Sequence, residues 1–402
     1  MTDNPARLTV VGIGADGWAG LSRTATAALT RADVILGSAR QLDLLPVEVP
    51  GDRVAWPSPL LPALPGLLET HRGRRVAVLA SGDPMFHGIG ATLRRFVDDL
   101  DVIPHPSSVS LAAARLGWPL SDVDVLSVVN ADVAELHPLI HPNRRILVLG
   151  RDAGTPGQVA AILQARGYGD SEMTILGQLG SESETSITGR AGEIQLSEVG
   201  SLNVIAIRCS RGGVSRPLVP GLPDDAYDSD GQLTKREVRA VTLALLGPQP
   251  GELLWDVGAG SGSIAIEWMR THPACRAIAV ESDPVRAARI EGNAQALGVP
   301  KLKLVTGRAP GALAGLPTPD VVFIGGGVTR EGVLETAWSA LPAGGRLVAN
   351  AVTLESEAML VSWHAKLGGD LTRLSVHRAA PVGGFTGWRA MMPVTIWAVV
   401  KP

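Results

Sequence analysis

From Gly251 onward the chain alternates short apolar runs with longer amphipathic stretches. LLWDVG precedes IAIEWMR, RAIAVE precedes PVRAARIEGNAQALG, DVVFIGG precedes EGVLETAWSAL, and GRLVANAV precedes LESEAMLVSWHAKLG, with LKLVTG between the second and third pairs. Strand-sized runs separated by helix-period patterns predict a doubly wound parallel sheet with helices on both faces. Two more strand-like runs, LTRLSVHRA and MPVTIWAVV, are joined by a Gly-rich stretch instead of a helix. They are expected to pair antiparallel at the sheet edge.

The first half alternates too, with RLTVVGIG, DVILGS, RRVAVLASG, DVLSVV, RRILVLGRD and NVIAIRCS as strands and ATAALTRA, ATLRRFV, SLAAARLG and PGQVAAILQARG as helices. The chain is therefore α/β throughout. Its 402 residues exceed what one ordinary core holds. Between the halves, RGGVSRPLVPGLPDDAYDSDGQ (211–232) carries Pro, Gly and acids without either hydrophobic period, as a linker should. The expected plan is a domain over 1–210, with lobes of about 1–105 and 106–210, then the linker, then a domain over 233–402.

Composition narrows the function classes. The formal charge is −3 and no Lys/Arg run is present, which argues against a nucleic-acid partner. Cys209 and Cys275 lie in separate halves near strands and read as core residues, suggesting neither a disulfide framework nor a metal cluster. MTDNPARLTVVG lacks the basic start and apolar core of a signal peptide, and no run approaches the ~18 apolar residues of a membrane span. The expected location is the cytoplasm, with no membrane partner and no metal.

DVGAGSGS joins an apolar strand to the helix SIAIEWMR, so Gly258, Gly260 and Gly262 fall on a strand-to-helix turn where a ligand can rest against backbone N–H groups. Glu281 ends the next strand, where a carboxylate can accept from both ribose hydroxyls. An adenosine-containing cofactor is implied. NAD is compatible with that acid, but the spacing is GxGxG with an acid at 256, whereas the dinucleotide fingerprint places its third glycine one residue later. Seven strands with a final hairpin also fit a Rossmann-like class I methyltransferase better than a dinucleotide domain. Arg308 and Ala309 of GRAP fall where an adenine edge would lie, and Phe323–Gly327 would leave backbone open to a large flat substrate. Thr234 reads as a helix N-cap, with Glu237 completing a capping box.

LTKREVRA, DVGAGSGS, AVES, GRAP and FIGGG together resemble the precorrin methylase-decarboxylase module of cobalamin synthesis. VVGIGADGW, ILGSARQL, VLASGDPMFHGIG, PHPSSVSLAAARLGW and RDAGTPGQVAAIL resemble the two-lobed tetrapyrrole methylase family. The resemblance implies two S-adenosylmethionine sites, one per module. In the second module the family contacts fall on Thr234, the turn of Gly258, Ala259, Gly260, Ser261 and Gly262, Glu281 and Ala309. In the first they fall on Gly82, Asp83, Pro84, Ser107 and Ser108, with Thr155 and Pro156 as further candidates. Relatives often carry a Ser-His-Gly-Arg-like stretch near Ser127, where this chain reads SVVNADVAEL.

The resemblance further implies a tetrapyrrole substrate, methylation at carbons 5 and 15, loss of the ring C acetate carboxyl, and a homo-oligomer. Methylation at carbon 15 and decarboxylation would belong to the second module and methylation at carbon 5 to the first. No catalytic side chain is assigned. Arg236, Arg330 and Arg389 are candidates for substrate carboxylates, and GGFTGWRAMMP for either a lid or a plain hairpin. The alternatives are a class I enzyme for another small molecule or RNA, and a noncatalytic corrinoid carrier in the first half.

Overall fold

The structure is a computed structural model that describes residues 8–196 and 199–402; the first seven residues, read above for a leader, lie outside the described residues. The chain forms two compact units. One runs to Val133 and resumes over Pro142–Val214, and the other comprises Ala134–His141 and Ser215–Pro402.

The first unit holds two sheets. Strands β1 (Leu8–Ile13), β2 (Val34–Gly37), β3 (Asp52–Ala55), β4 (Val76–Ser81) and β5 (Leu100–Ile103) are parallel in the order β3-β2-β4-β1-β5. Helices α1 (Arg23–Arg31), α2 (Ala39–Asp43), α3 (Leu60–Thr70) and α4 (Ile89–Leu93) connect them. Both faces of this sheet are buried, as a parallel sheet requires: Ile35 and Leu79 pack on one side, Leu36 and Val78 on the other. The stretch ATLRRFV supplies only the short α4, which ends at Leu93.

After residues 104–107 the chain enters α5 (Ser108–Leu116) and a mixed second sheet. Strands β6 (Val123–Ser127), β7 (Arg145–Leu149), β8 (Glu172–Gly177), β9 (Thr185–Arg190) and β10 (Asn203–Arg208) run in the order β6-β7-β10-β8-β9, with α6 (Thr155–Ala165) leading from β7 to β8. Ser107 caps α5 by accepting from Ser110 N at 3.1 Å, and Gly117 ends it in the left-handed region.

In the second unit, α7 (Arg236–Leu246) precedes β11 (Leu253–Val257), α8 (Ser263–Thr271), β12 (Arg276–Glu281), α9 (Pro284–Leu297), β13 (Lys303–Thr306), β14 (Val321–Ile324), α10 (Val333–Ala340), β15 (Arg346–Ala351) and α11 (Leu354–Leu367). The run LTRLSVHRA does not form one strand. It divides into β16 (Asp370–Leu374) and β17 (His377–Val382), and β17 pairs with β18 (Phe385–Ala390) in a separate hairpin before β19 (Val394–Val400) returns to the sheet. The seven-stranded order is β13-β12-β11-β14-β15-β19-β16, with β19 antiparallel between β15 and β16. Alternate residues feed opposite cores: Leu253, Trp255 and Val257 of β11 pack on one face and Leu254 on the other. Each fully buried Leu or Val contributes roughly 1.5–3 kcal/mol.

Two sequence expectations need correction. The second half of the expected linker is part of this core, because Leu222 and Tyr227 bury among Leu243, Ile266 and Trp268. Its Gly, Pro and Asp content hid two apolar anchors and their polar partner. Glu267 of α8, almost wholly buried, accepts from Gly221 N at 2.5 Å, Leu222 N at 3.1 Å, the Tyr227 hydroxyl at 2.8 Å and Arg239 Nε at 2.6 Å. Nor does the capping box at Thr234 form. The N-cap of α7 is Lys235, without a side-chain bond, and Asp224 accepts from Arg236 N at 2.9 Å instead. Glu237 turns outward to pair with Arg378 of the hairpin at 2.6 Å, which holds its carboxyl below the usual range.

Candidate functional site

In an open parallel sheet the ligand crevice lies outside the carboxyl ends of the strands, where the strand order reverses. Here that point lies between β11 and β14, and a cavity of about 860 Å³ opens there. The first part of the glycine turn forms its floor, and Gly258, Gly260 and Gly262 of that turn have φ of 71°, 60° and 76°. A Cβ on Gly258 would come within 2.8 Å of the Gly326 backbone, so the loops after β11 and β14 meet because Gly258 lacks a side chain.

Glu281 governs the turn. Its Oε2 accepts from Gly260 N at 2.8 Å, and its Oε1 accepts from Ser282 N at 2.7 Å and Asp283 N at 2.9 Å. Each carboxylate oxygen has two acceptor sites, so Oε2 keeps one for a sugar hydroxyl. Asp256 lies deeper. Burial pushes its pKa up to about 7, the bond from Ala265 N offsets part of this, and the Glu281 charge adds to the rise.

A strap from Asp228 to Lys235 forms the near wall. Asn293 of α9 fixes it by accepting from Asp228 N at 2.8 Å and donating to Asp228 O at 2.9 Å and Ser261 O at 3.0 Å. Arg286 adds a 2.8 Å ion pair to Asp230, whose carboxyl is lowered by that hydrogen bond. The far wall is apolar, made by Phe323, Val352, Met391, Met392 and Val394. Lys235, Arg286, Arg308 and Arg330 line the cavity against one carboxylate, Glu281, so the space favours an anionic ligand.

Of the residues expected from sequence, Thr234, Gly258, Ala259, Gly260, Ser261, Glu281 and Ala309 share this cavity. Gly262 is not among its lining residues; its missing Cβ gives room to Ile290 of α9, 2.9 Å from where that atom would stand. Arg330 lines the cavity, whereas Arg236 and Arg389 are exposed outside it. Met391 and Met392, from the stretch GGFTGWRAMMP, line the cavity as well, whereas Arg286 and Asn350 do so without having been expected from sequence. Arg286 is within reach of sequence, near the start of a helix that Asp283 visibly caps.

In the first unit, the turn after β4 and the start of α5 come together. A Cβ on Gly82 would lie 3.1 Å from Ser107 Cα and 3.6 Å from Ser108 N. Asp83 closes an Asx turn by accepting from Met85 N at 2.8 Å, and Pro84 follows within it. These five residues therefore cluster at the carboxyl edge of the first sheet. Thr155 is buried at the start of α6, where Asp152 accepts from its backbone at 3.0 Å, and Pro156 is buried beside it.

Comparison with known proteins agrees with this division. Residues 225–401 match the family described as precorrin methyltransferase domain, and residues 7–195 match the tetrapyrrole (corrin/porphyrin) methylases. A Sinorhizobium protein named precorrin-6Y C(5,15)-methyltransferase [decarboxylating] is 48% identical over 398 residues, covering 98% of this chain and 96% of that protein. A shorter Pyrobaculum calidifontis protein, named a probable cobalt-precorrin-6B C(15)-methyltransferase (decarboxylating), is 36% identical over 184 residues, 44% of this chain and 94% of that protein. Among solved structures, the C-terminal domain of precorrin-6Y C5,15-methyltransferase from Rhodobacter capsulatus is 45% identical over 46% of this chain and 100% of that one, at a TM-score of 0.44.

Proposed function

Because the chain belongs to the family of decarboxylating precorrin-6Y C(5,15)-methyltransferases, we propose that it houses two methyl-transfer sites, one in each unit. The chain is an S-adenosylmethionine-dependent C-methyltransferase of cobalamin biosynthesis that also decarboxylates. In the proposed division the first unit methylates carbon 5. The second methylates carbon 15 and removes the ring C acetate carboxyl, giving precorrin-8X. The observation that carries the division is the second unit's own cavity, complete without any residue of the first. A relative of about one module's length is named for carbon-15 methylation and decarboxylation, which supports it.

The methyl donor supplies an electrophilic methyl on sulfur, so the second unit's residues mainly orient and desolvate. Glu281 Oε2 takes one ribose hydroxyl, the Gly258–Ser261 backbone faces the amino-acid portion, and Ala309 reads the adenine edge. On the far wall Phe323, Met391 and Val394 keep water from the acetate carboxylate. That carboxylate leaves as neutral carbon dioxide while its electron pair enters the conjugated imine of the macrocycle. Arg308 and Arg330 hold the remaining acidic side chains. In the first unit Gly82, Asp83, Pro84, Ser107 and Ser108 line the second donor site.

The exposed apolar residues of the β17–β18 hairpin, Val382, Phe385 and Trp388, support a homo-oligomer. Among the described residues no helix is long and apolar enough to cross a membrane. The balanced charge supports an enzyme without a nucleic-acid partner, and we place it in the cytoplasm.

Mass spectrometry of precorrin-6Y after reaction with the full chain and S-adenosylmethionine is the test. Two added methyl groups and one lost carbon dioxide are expected, and label passing only to RNA or an unrelated small molecule would overturn the reading. Arg330→Ala is expected to weaken tetrapyrrole binding about tenfold, the scale of one charge-assisted hydrogen bond. Titration should show donor binding unchanged, and equal tetrapyrrole affinity in both proteins would remove Arg330 from the site.

A further inference from the structure

The carboxyl edge of the first unit's parallel sheet carries a pair of titratable groups that no role above uses. His105, on the connection between β5 and α5, directs Nε2 at Asp16 Oδ1 at 3.3 Å, and its side chain is only 8% exposed. The place of that carboxylate is built into the chain. A Cβ on Gly14 would stand 2.4 Å from Asp16 Oδ1, and one on Gly20 would stand 1.9 Å from Oδ2, so both glycines are needed for the carboxylate to lie where it does. A Cβ on Gly12 would in turn meet His105 N at 2.7 Å and Gly82 O at 2.3 Å. The pair therefore sits against the same turn and helix start that bring Gly82, Ser107 and Ser108 together.

Asp16 Oδ1 is buried and accepts no hydrogen bond, and the imidazole Nε2 stands 3.3 Å from it. Among the described residues the other ring nitrogen, Nδ1, has no hydrogen-bond partner. A carboxylate this close to one imidazole nitrogen favours the neutral tautomer with its proton on Nε2. The lone pair is then on Nδ1.

We propose that the Asp16–His105 pair is the proton acceptor of the first unit's methyl transfer, with His105 as the base and Asp16 as the residue that positions it. This rests on the assignment of carbon-5 methylation to the first unit. The enamine-like carbon 5 attacks the donor's methyl carbon, and the new carbon–carbon bond forms as the methyl–sulfur bond breaks. The sulfur keeps that electron pair and leaves as neutral S-adenosylhomocysteine. The macrocycle is left with a positive charge on the conjugated ring nitrogen. His105 Nδ1 takes the proton of that N–H, whose bonding pair neutralises the ring, and the resulting imidazolium is held by the Asp16 carboxylate.

The test uses the full chain and precorrin-6Y, with product masses read over time. His105→Ala is expected to slow addition of the carbon-5 methyl by about 100-fold or more, the usual scale of general-base catalysis. Carbon-15 methylation and decarboxylation should continue, so a singly methylated, decarboxylated product accumulates. Added imidazole should restore the second methylation, which it would not do for a merely misfolded unit. Asp16→Asn should slow the same step alone. The proposal is overturned if His105→Ala adds both methyls at the parental rate, or if its loss is untouched by imidazole. Gly82→Ala separates the two readings. If it stops carbon-5 methylation while His105→Ala does not, the pair is not the base but the division of labour stands. If neither variant affects carbon 5, the division fails as well.

Discussion

Arg239→Ala is expected to lower the stability of the second unit by about 3–5 kcal/mol, the cost of leaving one member of a buried ion pair without its partner. Arg239 is fully buried, and its Nε donates to Glu267 at 2.6 Å. Its Nη groups also donate to the carbonyls of Leu222 and Thr234. Alanine would strand the Glu267 carboxylate with three donors in place of four and leave two buried carbonyls unmet. For a unit of this size the loss corresponds to a fall of roughly 10 °C in its melting transition. Calorimetry of the full chain reads this directly. A transition that moves by less than a couple of degrees would show that water or rearrangement replaces the guanidinium. Because Thr234 belongs to the cavity wall, donor affinity should fall in the same variant even where it remains folded.

The second large effect is expected at Glu281. Glu281→Ala removes the acceptor of three backbone N–H groups together with the proposed ribose contact. A bond to a charged group is worth about 1.5–3 kcal/mol, so losing the ribose contact predicts a fall of about 10- to 150-fold in donor affinity at the second site. Isothermal titration should change from two equivalents bound to one. The product should keep its carbon-5 methyl and lack the one at carbon 15. Glu281→Gln, which keeps one acceptor oxygen, should fall between. Two equivalents bound with parental affinity would exclude Glu281 from the donor site, and loss of the carbon-5 methyl instead would reverse the roles of the units.

These expectations draw on parts of the chain that differed in how openly their sequence spoke. The turn at Gly258 and the acid at Glu281 were readable because β11 and β12 are almost wholly buried and mainly apolar, which fixes where each strand ends. Strands β3 and β9 were not readable, since they are half or largely exposed and carry mixed side chains with no clean alternation. The buried run in β8 was legible in principle and was passed over. The strap escaped notice for another reason. Asn293, Arg286 and Arg289 reach Asp228 and Asp230 across a long stretch of chain, and no local pattern announces such pairing. What the sequence does not announce is that LTRLSVHRA divides into β16 and β17, because no Gly or Pro marks the break between them.

The burial of Leu222 and Tyr227 bears on where this enzyme can be cut in two. The stretch that matches the precorrin methyltransferase domain begins at residue 225, yet the backbone amides of Gly221 and Leu222 already serve the second unit's innermost carboxylate. A half-enzyme begun at 225 would open a leucine-sized hole and deprive Glu267 of two donors, whereas one begun a few residues before Gly221 keeps both. The seam between the halves thus lies upstream of the place where the recognisable domain starts.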